Sequence, residues 1–100
     1  STALLVEFLN AQPLSTITES VRYAWFLQIL TKQQLFFKFQ PIFDLQRGTV
    51  VAYECLARAR SDAGNCFSGK QLIDAAVSMQ LTREFDDLAR ITCLEEIAQL

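Results

Sequence analysis

The sequence predicts a small domain of mixed α and β structure, in which helices flank one antiparallel β-hairpin. Residues 35–57 are rich in aromatic and β-branched side chains, which favour strands. Asp44 and Gly48 interrupt this stretch with residues typical of a turn. Hydrophobic residues before and after it recur at helical spacing. The hairpin is therefore the centre of the predicted α+β unit.

The composition allows one small domain with a limited core. The chain has 100 residues, of which 51% are hydrophobic and eight are phenylalanine. A domain of this size leaves much of its surface in water. The apolar content therefore predicts either an unusually dense core or an apolar surface that meets another molecule, and large exposed apolar patches favour the second.

Charge and cysteine content argue against several classes of protein. The net charge is −2 and no basic cluster occurs, so nucleic acid is not an expected partner. The chain has no histidine, and its cysteines (Cys55, Cys66 and Cys93) lack a CxxC spacing, which disfavours a zinc site or a disulfide framework. We expect free, mostly buried thiols in a reducing cytoplasm. No apolar run is long enough for a membrane helix, and the start lacks the features of a signal peptide.

The N-terminal third predicts helices. Ala3–Asn10 carries one apolar helical stripe, and Pro13 follows as a stop signal. Thr16 and Glu19 have capping-box spacing at the start of a second helix, which runs to Leu30. The predicted inner stripe of that helix contains Ile17, Val21, Ala24, Trp25 and Gln28. This stripe is widened over most of the girth by Phe26, Leu27, Ile29 and Leu30. The helix is therefore expected to be buried on more than one side, either in the core or against another subunit.

The hairpin is predicted from strand Leu35–Phe43, turn Asp44–Gly48 and strand Thr49–Ala57. Pro41 has no N–H for a ladder, so the first strand should lie at an edge or end soon afterwards. Alternation places Val50, Ala52, Glu54, Leu56 and Arg58 on one face of the second strand. Both faces of that strand are mainly apolar, which predicts burial on both sides.

A loop and two further helices complete the expected fold. The loop covers Arg60–Gly69. Ser68 and Gln71 form a capping pair at the start of the next helix, which ends near Met79–Leu81. Thr82 is predicted to cap the last helix. The expected inner residues are Leu72, Ile73, Ala76 and Val77, then Phe85, Leu88, Ala89, Cys93, Ile97 and Leu100. Asp86, Asp87, Arg90, Glu95 and Glu96 are expected on a solvated face of the last helix.

Glu54 and Arg58 are the candidate functional residues of the hairpin. They point the same way, about 13 Å apart along the strand, and unpaired charges on a half-buried strand are costly. A carboxylate at a strand end suits Mg²⁺ or Mn²⁺, and an arginine beside it can bind a phosphate at two points. Gln40 on the preceding strand can reach the same place. The alternative is an ordinary edge charge, with Glu54 paired to Lys38 or to a residue that the sequence does not identify.

The hairpin sequence resembles the opening of the EAL domain, the bacterial phosphodiesterase that hydrolyses cyclic-di-GMP. Phe39–Ile42 match its aromatic-Gln-Pro-Ile strand, Asp44–Gly48 match its short turn, and Glu54–Arg58 match its Glu-Ala-Leu-Leu-Arg signature. The signature triplet reads ECL here, because Cys55 replaces alanine, and Ala57 replaces the second leucine. The resemblance covers residues 35–100.

This resemblance implies a partial (β/α)₈ TIM-like barrel of α/β class, with its site at the mouth formed by the strand ends. It implies that Glu54 binds the catalytic metal, that Arg58 contacts substrate phosphate and that Gln40 lines the nucleotide site. Leu56 matches the signature leucine and belongs to the same substrate-binding set. The implied reaction is water attack on a phosphodiester, assisted by Mg²⁺ or Mn²⁺ and giving linear pGpG.

The resemblance also implies that other acidic ligands and the catalytic lysine of the family lie outside this sequence. We therefore expect residues 1–34 to be a helical lead-in and residues 35–100 to be the N-terminal part of an EAL domain. No catalytic residue is expected within the chain, which should be inactive alone, bind metal weakly and self-associate as a dimer. A sensor or GGDEF-type domain is a possible upstream partner. A regulatory EAL-like domain and a purely structural dimerisation module are the alternatives.

Overall fold

A computed structural model describes residues 21–100 of the chain, and the predicted helix Ala3–Asn10 and the Thr16 cap lie outside these residues. The described part is a small α+β unit. Its elements are α1 (Ala24–Lys32), β1 (Leu35–Asp44), β2 (Thr49–Arg60), β3 (Cys66–Phe67), α2 (Gly69–Ser78) and α3 (Thr82–Ile97). The strands form one antiparallel sheet in the order β1-β2-β3.

Helix α1 is buried on the side that was predicted to widen the apolar stripe, and not along the stripe itself. Phe26 and Ile29 are fully buried, whereas Val21 is 71% exposed and Ala24 and Gln28 are also exposed. The predicted stripe through Val21, Ala24 and Gln28 is therefore wrong. Apolar residues surround most of this helix, so their spacing alone did not determine which side would face the core.

The predicted hairpin turn is confirmed. Asp44 Oδ1 accepts hydrogen bonds from the backbone N–H groups of Gln46 at 2.9 Å and Arg47 at 3.2 Å. The Gly48 N–H donates to the Asp44 carbonyl at 2.7 Å, and Gly48 has a φ of 66°. Glycine adopts this left-handed conformation without the steric cost that a side chain would add. The Asp–Gly pair therefore closes the turn through local chemistry.

Both strands of the hairpin run further than predicted. β1 includes Asp44, and β2 continues beyond Ala57 to Arg60. The pairing shifts between Ile42 and Phe43, which leaves one extra residue, Val51, in β2. This bulge interrupts the period-2 alternation. The predicted placement of Val50 on the same face as Glu54 is therefore not supported beyond the bulge.

β1 lies at the edge of the described sheet, as the proline predicted. The Phe37 N–H donates to Glu96 Oε1 of α3 at 2.7 Å and not to β2. Backbone N–H groups alternate in direction along a strand, so the backbone nitrogen of Pro41, four residues later, also points away from β2. The missing N–H of Pro41 therefore removes no hydrogen bond between β1 and β2. Glu96 is half-buried by this contact, and its predicted place on a solvated face is wrong.

The chain between β2 and α2 contains a strand that the sequence did not predict. Ala59 and Arg60 pair with Phe67 and Cys66 of β3, within the predicted loop. Trp25 of α1 stacks on Phe67 with ring centroids 4.1 Å apart and an interplanar angle of 6°. A strand of two residues is too short to produce a recognisable alternation in the sequence. Its formation therefore depends on tertiary contacts.

The predicted capping box of α2 is confirmed. The Gln71 N–H donates to Ser68 Oγ at 3.2 Å, and the Ser68 N–H donates to Gln71 Oε1 at 2.8 Å. Such a cap is worth about 1 kcal/mol and fixes the first turn of the helix. The predicted Thr82 cap is wrong, because Leu81 occupies the cap position of α3 without a side-chain bond.

The inner faces of α2 and α3 are only partly as predicted. Leu72 and Ala76 are buried, but Ile73 is 54% and Val77 is 62% exposed. The buried residues of α2 are Leu72, Ala75 and Ala76, and Met79 at its C-cap is buried as well. The buried side is therefore rotated from the predicted stripe. In α3, Phe85, Leu88 and Ala89 join the core as predicted, and Cys93 is half-buried. Ile97 and, beyond the helix, Leu100 are exposed instead of buried.

The core lies between the helices and one half of the hairpin. Leu35 and Ala59, paired at the base of the hairpin, join the buried residues of all three helices. The distal half is uncovered within the described residues: Leu45 is 93%, Val51 58% and Tyr53 45% exposed. The expected burial of β2 on both faces is therefore wrong for this half. Cys55 and Cys66 are exposed as well, so the expectation of mostly buried thiols is also wrong.

Candidate functional site

The candidate site lies on one face of the hairpin, opposite the face that packs on the helices. Alternation places Glu54, Leu56 and Arg58 of β2 on this face. The register sets Gln40 of β1 directly opposite Glu54, and Lys38 opposite Leu56. Side chains of such directly paired residues start about 4.5–5.5 Å apart. The structure thus brings Gln40 and Glu54 side by side.

Glu54 is exposed and lies in the middle of β2, as the sixth of twelve residues. Its expected position at the end of a strand is therefore wrong, because β2 continues to Arg60. No ion pair joins it to Lys38 or to another residue within 21–100. Its carboxylate is thus open to a ligand approaching this face.

Arg58 is half-buried beside the start of α2, and a hydrogen bond within its own strand orients it. Its Nη1 donates a hydrogen bond to the Ala57 carbonyl at 2.7 Å. Gly69 allows the close approach of helix and strand, because a Cβ there would lie 3.3 Å from the Ala57 oxygen and 3.7 Å from Arg58 Nη1. A guanidinium has several further N–H donors, so this bond orients Arg58 and leaves donors for an anion.

An open cleft follows the outer edge of β2 along the start of α2, with a volume of about 550 Å³. It is lined by residues 55–58 of β2 together with Ser68, Gly69, Lys70 and Ile73. A second groove of about 340 Å³ lies nearby, and its lining includes Phe36, Lys38 and Arg60. Arg58 lines both spaces.

Four cationic side chains therefore line these two spaces: Lys38, Arg58, Arg60 and Lys70. Together they favour an anionic ligand, such as a phosphate group. The sequence analysis missed Arg60 and Lys70 as part of this surface. Arg60 lies two residues after Arg58, so strand alternation places both on the same face. The sequence analysis did not apply this alternation to Arg60, because it predicted that the strand ends at Ala57.

The oxygen donors of the face fit a hard divalent cation. The Glu54 carboxylate and the Gln40 amide offer the ligand type that Mg²⁺ and Mn²⁺ prefer. Among residues 21–100, no three acidic, cysteine or histidine side chains converge on one point. A metal ion bound here would therefore use Glu54 together with ligands from outside the described hairpin.

The ion pair between Lys32 and Asp62 lies away from this face. The Lys32 ammonium donates to Asp62, and Gln34 Nε2 donates to Asp62 Oδ1 at 2.6 Å. These hydrogen bonds, with that from Lys32 as the larger cause, lower the pKa of Asp62 below its usual range. Asp62 is exposed, and these bonds tie the β2–β3 loop to the end of α1.

The fold and this face together define a small α+β unit with a polar, partly cationic sheet face suited to a phosphate ligand. The model of the EAL domain family matches residues 19–100. The chain therefore belongs to the EAL domain family, the family of cyclic-di-GMP phosphodiesterases, and the resemblance seen in the sequence is confirmed.

A comparison with curated proteins finds no match to this chain. None of the described helices combines the length and the apolar character that crossing a membrane requires.

Proposed function

We propose that this chain supplies the first wall of a site that hydrolyses cyclic-di-GMP to linear pGpG. The observation that supports this proposal is the register of the hairpin. It sets Gln40 opposite Glu54 and puts Arg58 on the same open face, in a member of the EAL family. The three side chains then act on one ligand from one side.

Each residue has a separate role in this proposal. Glu54 provides a carboxylate ligand for Mg²⁺ or Mn²⁺, and Gln40 beside it hydrogen-bonds the nucleotide. Arg58, oriented by its bond to the Ala57 carbonyl, binds a phosphate of the substrate at two points. Leu56 lies between Glu54 and Arg58 and offers an apolar contact. When bound, the divalent metal supplies activation of the attacking water and offsets the charge that develops on the phosphate.

The proposal treats residues 1–34 as a helical lead-in and residues 35–100 as the beginning of the barrel. The exposed apolar side chains of the distal hairpin support this, since Ile42 is 50% and Phe43 is 56% exposed. Later strands and helices of a complete EAL domain would cover such surface. They would also bring the further metal ligands that the described residues do not provide.

The chain by itself is expected to be inactive towards cyclic-di-GMP. One carboxylate on an open face cannot hold a hard metal tightly. Isothermal titration of the chain with Mn²⁺ and then with cyclic-di-GMP should show no tight binding, and chromatography should show no pGpG. Turnover that survives further purification would contradict the proposal that this chain is an incomplete site.

The chain is also expected to self-associate, with the distal hairpins or the helices around residues 21–30 covering one another. Val50, Val51 and Tyr53 leave apolar surface on β2 that a second copy can bury. Light scattering across the micromolar range should give the mass of a dimer. A monomer at every concentration would remove this part of the proposal.

Replacing Arg58 with lysine tests the phosphate contact in the full-length protein. Lysine keeps the charge but loses the planar two-point contact, so the Kd for cyclic-di-GMP should rise by about tenfold or more, which is about 1.4 kcal/mol. Arg83→Lys is the matched control, because Arg83 is exposed on α3.

Thermal melting of the variants separates binding from folding, since Arg58 is half-buried. An unchanged Kd for Arg58→Lys, with both variants folded, would show that this guanidinium does not bind the substrate.

A further inference from the structure

Arg60 is held on the open face of β2 by contacts from both neighbouring strands. Its guanidinium carbon lies 5.5 Å from the centre of the Phe36 ring of β1, within the range of a cation–π contact. Its Nε donates to the sulfur of Cys66, its register partner on β3, at 3.5 Å. Arg60 is exposed, and these two contacts limit the positions that its long side chain can adopt.

Most of the hydrogen-bonding capacity of the Arg60 guanidinium is unused within residues 21–100. Only its Nε donates to a protein acceptor, although a guanidinium also carries N–H donors on both terminal amino groups. The Phe36 ring has no oxygen or nitrogen atom, so the contact with this ring occupies none of those donors. The two terminal amino groups of Arg60 can therefore donate to a ligand as a pair.

The smaller groove, which Arg60 lines, suits a planar group that carries acceptor atoms. Its volume of about 340 Å³ is within the size range of small-molecule sites. Lys38 and Arg58 line this groove together with Arg60, and none of its eight lining residues is acidic. Phe36 and Phe67 add aromatic surface to the same groove. Positive charge combined with aromatic surface is the arrangement by which proteins bind the bases of nucleotides.

Arg60 lies further from the proposed metal ligand than Arg58 does. Strand spacing puts it about 7 Å beyond Arg58 and about 20 Å from Glu54 along β2. The two phosphates of a cyclic dinucleotide belong to its central ring, whereas its bases project outwards from that ring. Because Arg58 is proposed to bind a substrate phosphate, the part of the ligand that lies beyond it, at Arg60, is a base.

We propose that Arg60 recognises a guanine base of cyclic-di-GMP, with its terminal amino groups donating to O6 and N7. This inference rests on the proposed function and adds a residue that selects the base. Guanine presents O6 and N7 as two acceptors on one edge, and a guanidinium donates to both. Adenine presents N7 beside an amino group, which is itself a donor, so one of the two bonds is lost. Phe36 acts as a positioning residue, because it holds the guanidinium in place.

The test compares the Kd values of cyclic-di-GMP and cyclic-di-AMP for the full-length protein, measured by isothermal titration in EDTA to prevent metal-dependent hydrolysis. The ratio of the two Kd values reports base recognition, because a general loss of charge weakens both nucleotides equally. The wild type should prefer cyclic-di-GMP, and Arg60→Ala should reduce this preference by about 5- to 100-fold. Arg60→Gln should reduce it at least as far, since a glutamine amide pairs with N6 and N7 of adenine.

Arg90→Gln is the matched control, because Arg90 is exposed on α3 and lines neither of the two spaces beside the hairpin. It should leave the ratio of the two Kd values unchanged. Thermal melting of each variant checks that it is folded, and Arg60→Ala and Arg60→Gln test the same contact independently of each other.

Two results would overturn this inference and leave the proposed function standing. Equal weakening of both nucleotides in the Arg60 variants would show that Arg60 contributes charge, as to a phosphate, and does not read the base. Unchanged Kd values for both nucleotides would show that Arg60 does not touch the ligand. A wild-type protein that binds neither nucleotide, with or without Mn²⁺, would instead remove the proposed function and this inference with it.

Discussion

Replacing Leu72 with alanine is expected to lower the free energy of unfolding by about 2–5 kcal/mol. Leu72 is fully buried among Phe26, Ile29, Leu35 and Phe85, where α2 packs on α1, α3 and the base of the hairpin. Truncation removes apolar contacts and leaves a cavity that close-packed neighbours fill only in part. Urea denaturation of the chain, followed by circular dichroism, measures the loss.

Ile73→Ala is the matched control for this substitution. Ile73 follows Leu72 in the same helix and has a side chain of the same size, but it is 54% exposed. Its truncation should cost no more than about 1 kcal/mol. Equal losses for the two variants would mean that α2 is rotated from the position described and that the predicted Leu72–Ile73 stripe is buried after all.

Replacing Glu54 with glutamine is expected to lower kcat for cyclic-di-GMP hydrolysis in the full-length protein by about 100- to 1000-fold. Glutamine keeps the size of the side chain but removes the negative charge that binds the metal ion. A metal ion stabilises the transition state of such reactions by several kcal/mol, and each 1.4 kcal/mol corresponds to about tenfold in rate. Chromatographic assay of pGpG formation at saturating substrate measures the change.

Glu95→Gln controls for the loss of one charge, because Glu95 is exposed on α3 and lines neither of the two spaces beside the hairpin. Its kcat should stay within about twofold of the wild type. Unchanged hydrolysis in Glu54→Gln would favour a purely structural role for the hairpin. A full-length protein with no hydrolysis before substitution, but with nucleotide binding, would indicate a regulatory EAL domain.

The hairpin could be predicted from sequence because its determinants are local. Asp44 and Gly48 close the turn through their own backbone and side-chain contacts. Ser68 and Gln71 fix the start of α2 in the same way, within one helical turn. Such contacts involve residues a few positions apart, so the residue types alone identify them.

Features that depend on distant contacts could not be predicted. Glu96 has a charged side chain of the kind usually found in solvent. It nevertheless accepts a hydrogen bond from the N–H of Phe37, which lies 59 residues earlier in the chain. The centre of the buried side was misplaced in both α1 and α2, because apolar residues extend around both helices. The bulge at Val51 and the short strand β3 likewise depend on pairing partners and not on local propensity.

The candidate site could be predicted in part. Strand alternation places Glu54 and Arg58 on one face, and a correctly located turn puts Gln40 near Glu54. Their roles came from the family resemblance, because spacing alone left the Lys38 pairing open. Lys70 lines the cleft only because α2 packs beside β2. This packing cannot be predicted from the hydrophobic pattern of either element.

The most direct test of the central claim is the affinity of the full-length protein for Mn²⁺, measured by isothermal titration without nucleotide. If Glu54 is a ligand on the open face of the hairpin, Glu54→Gln should weaken Mn²⁺ binding by at least about tenfold, while Glu95→Gln leaves it unchanged. Equal Mn²⁺ affinity in the wild type and Glu54→Gln, with both proteins folded, would contradict the assignment of this hairpin face as part of the metal-binding site.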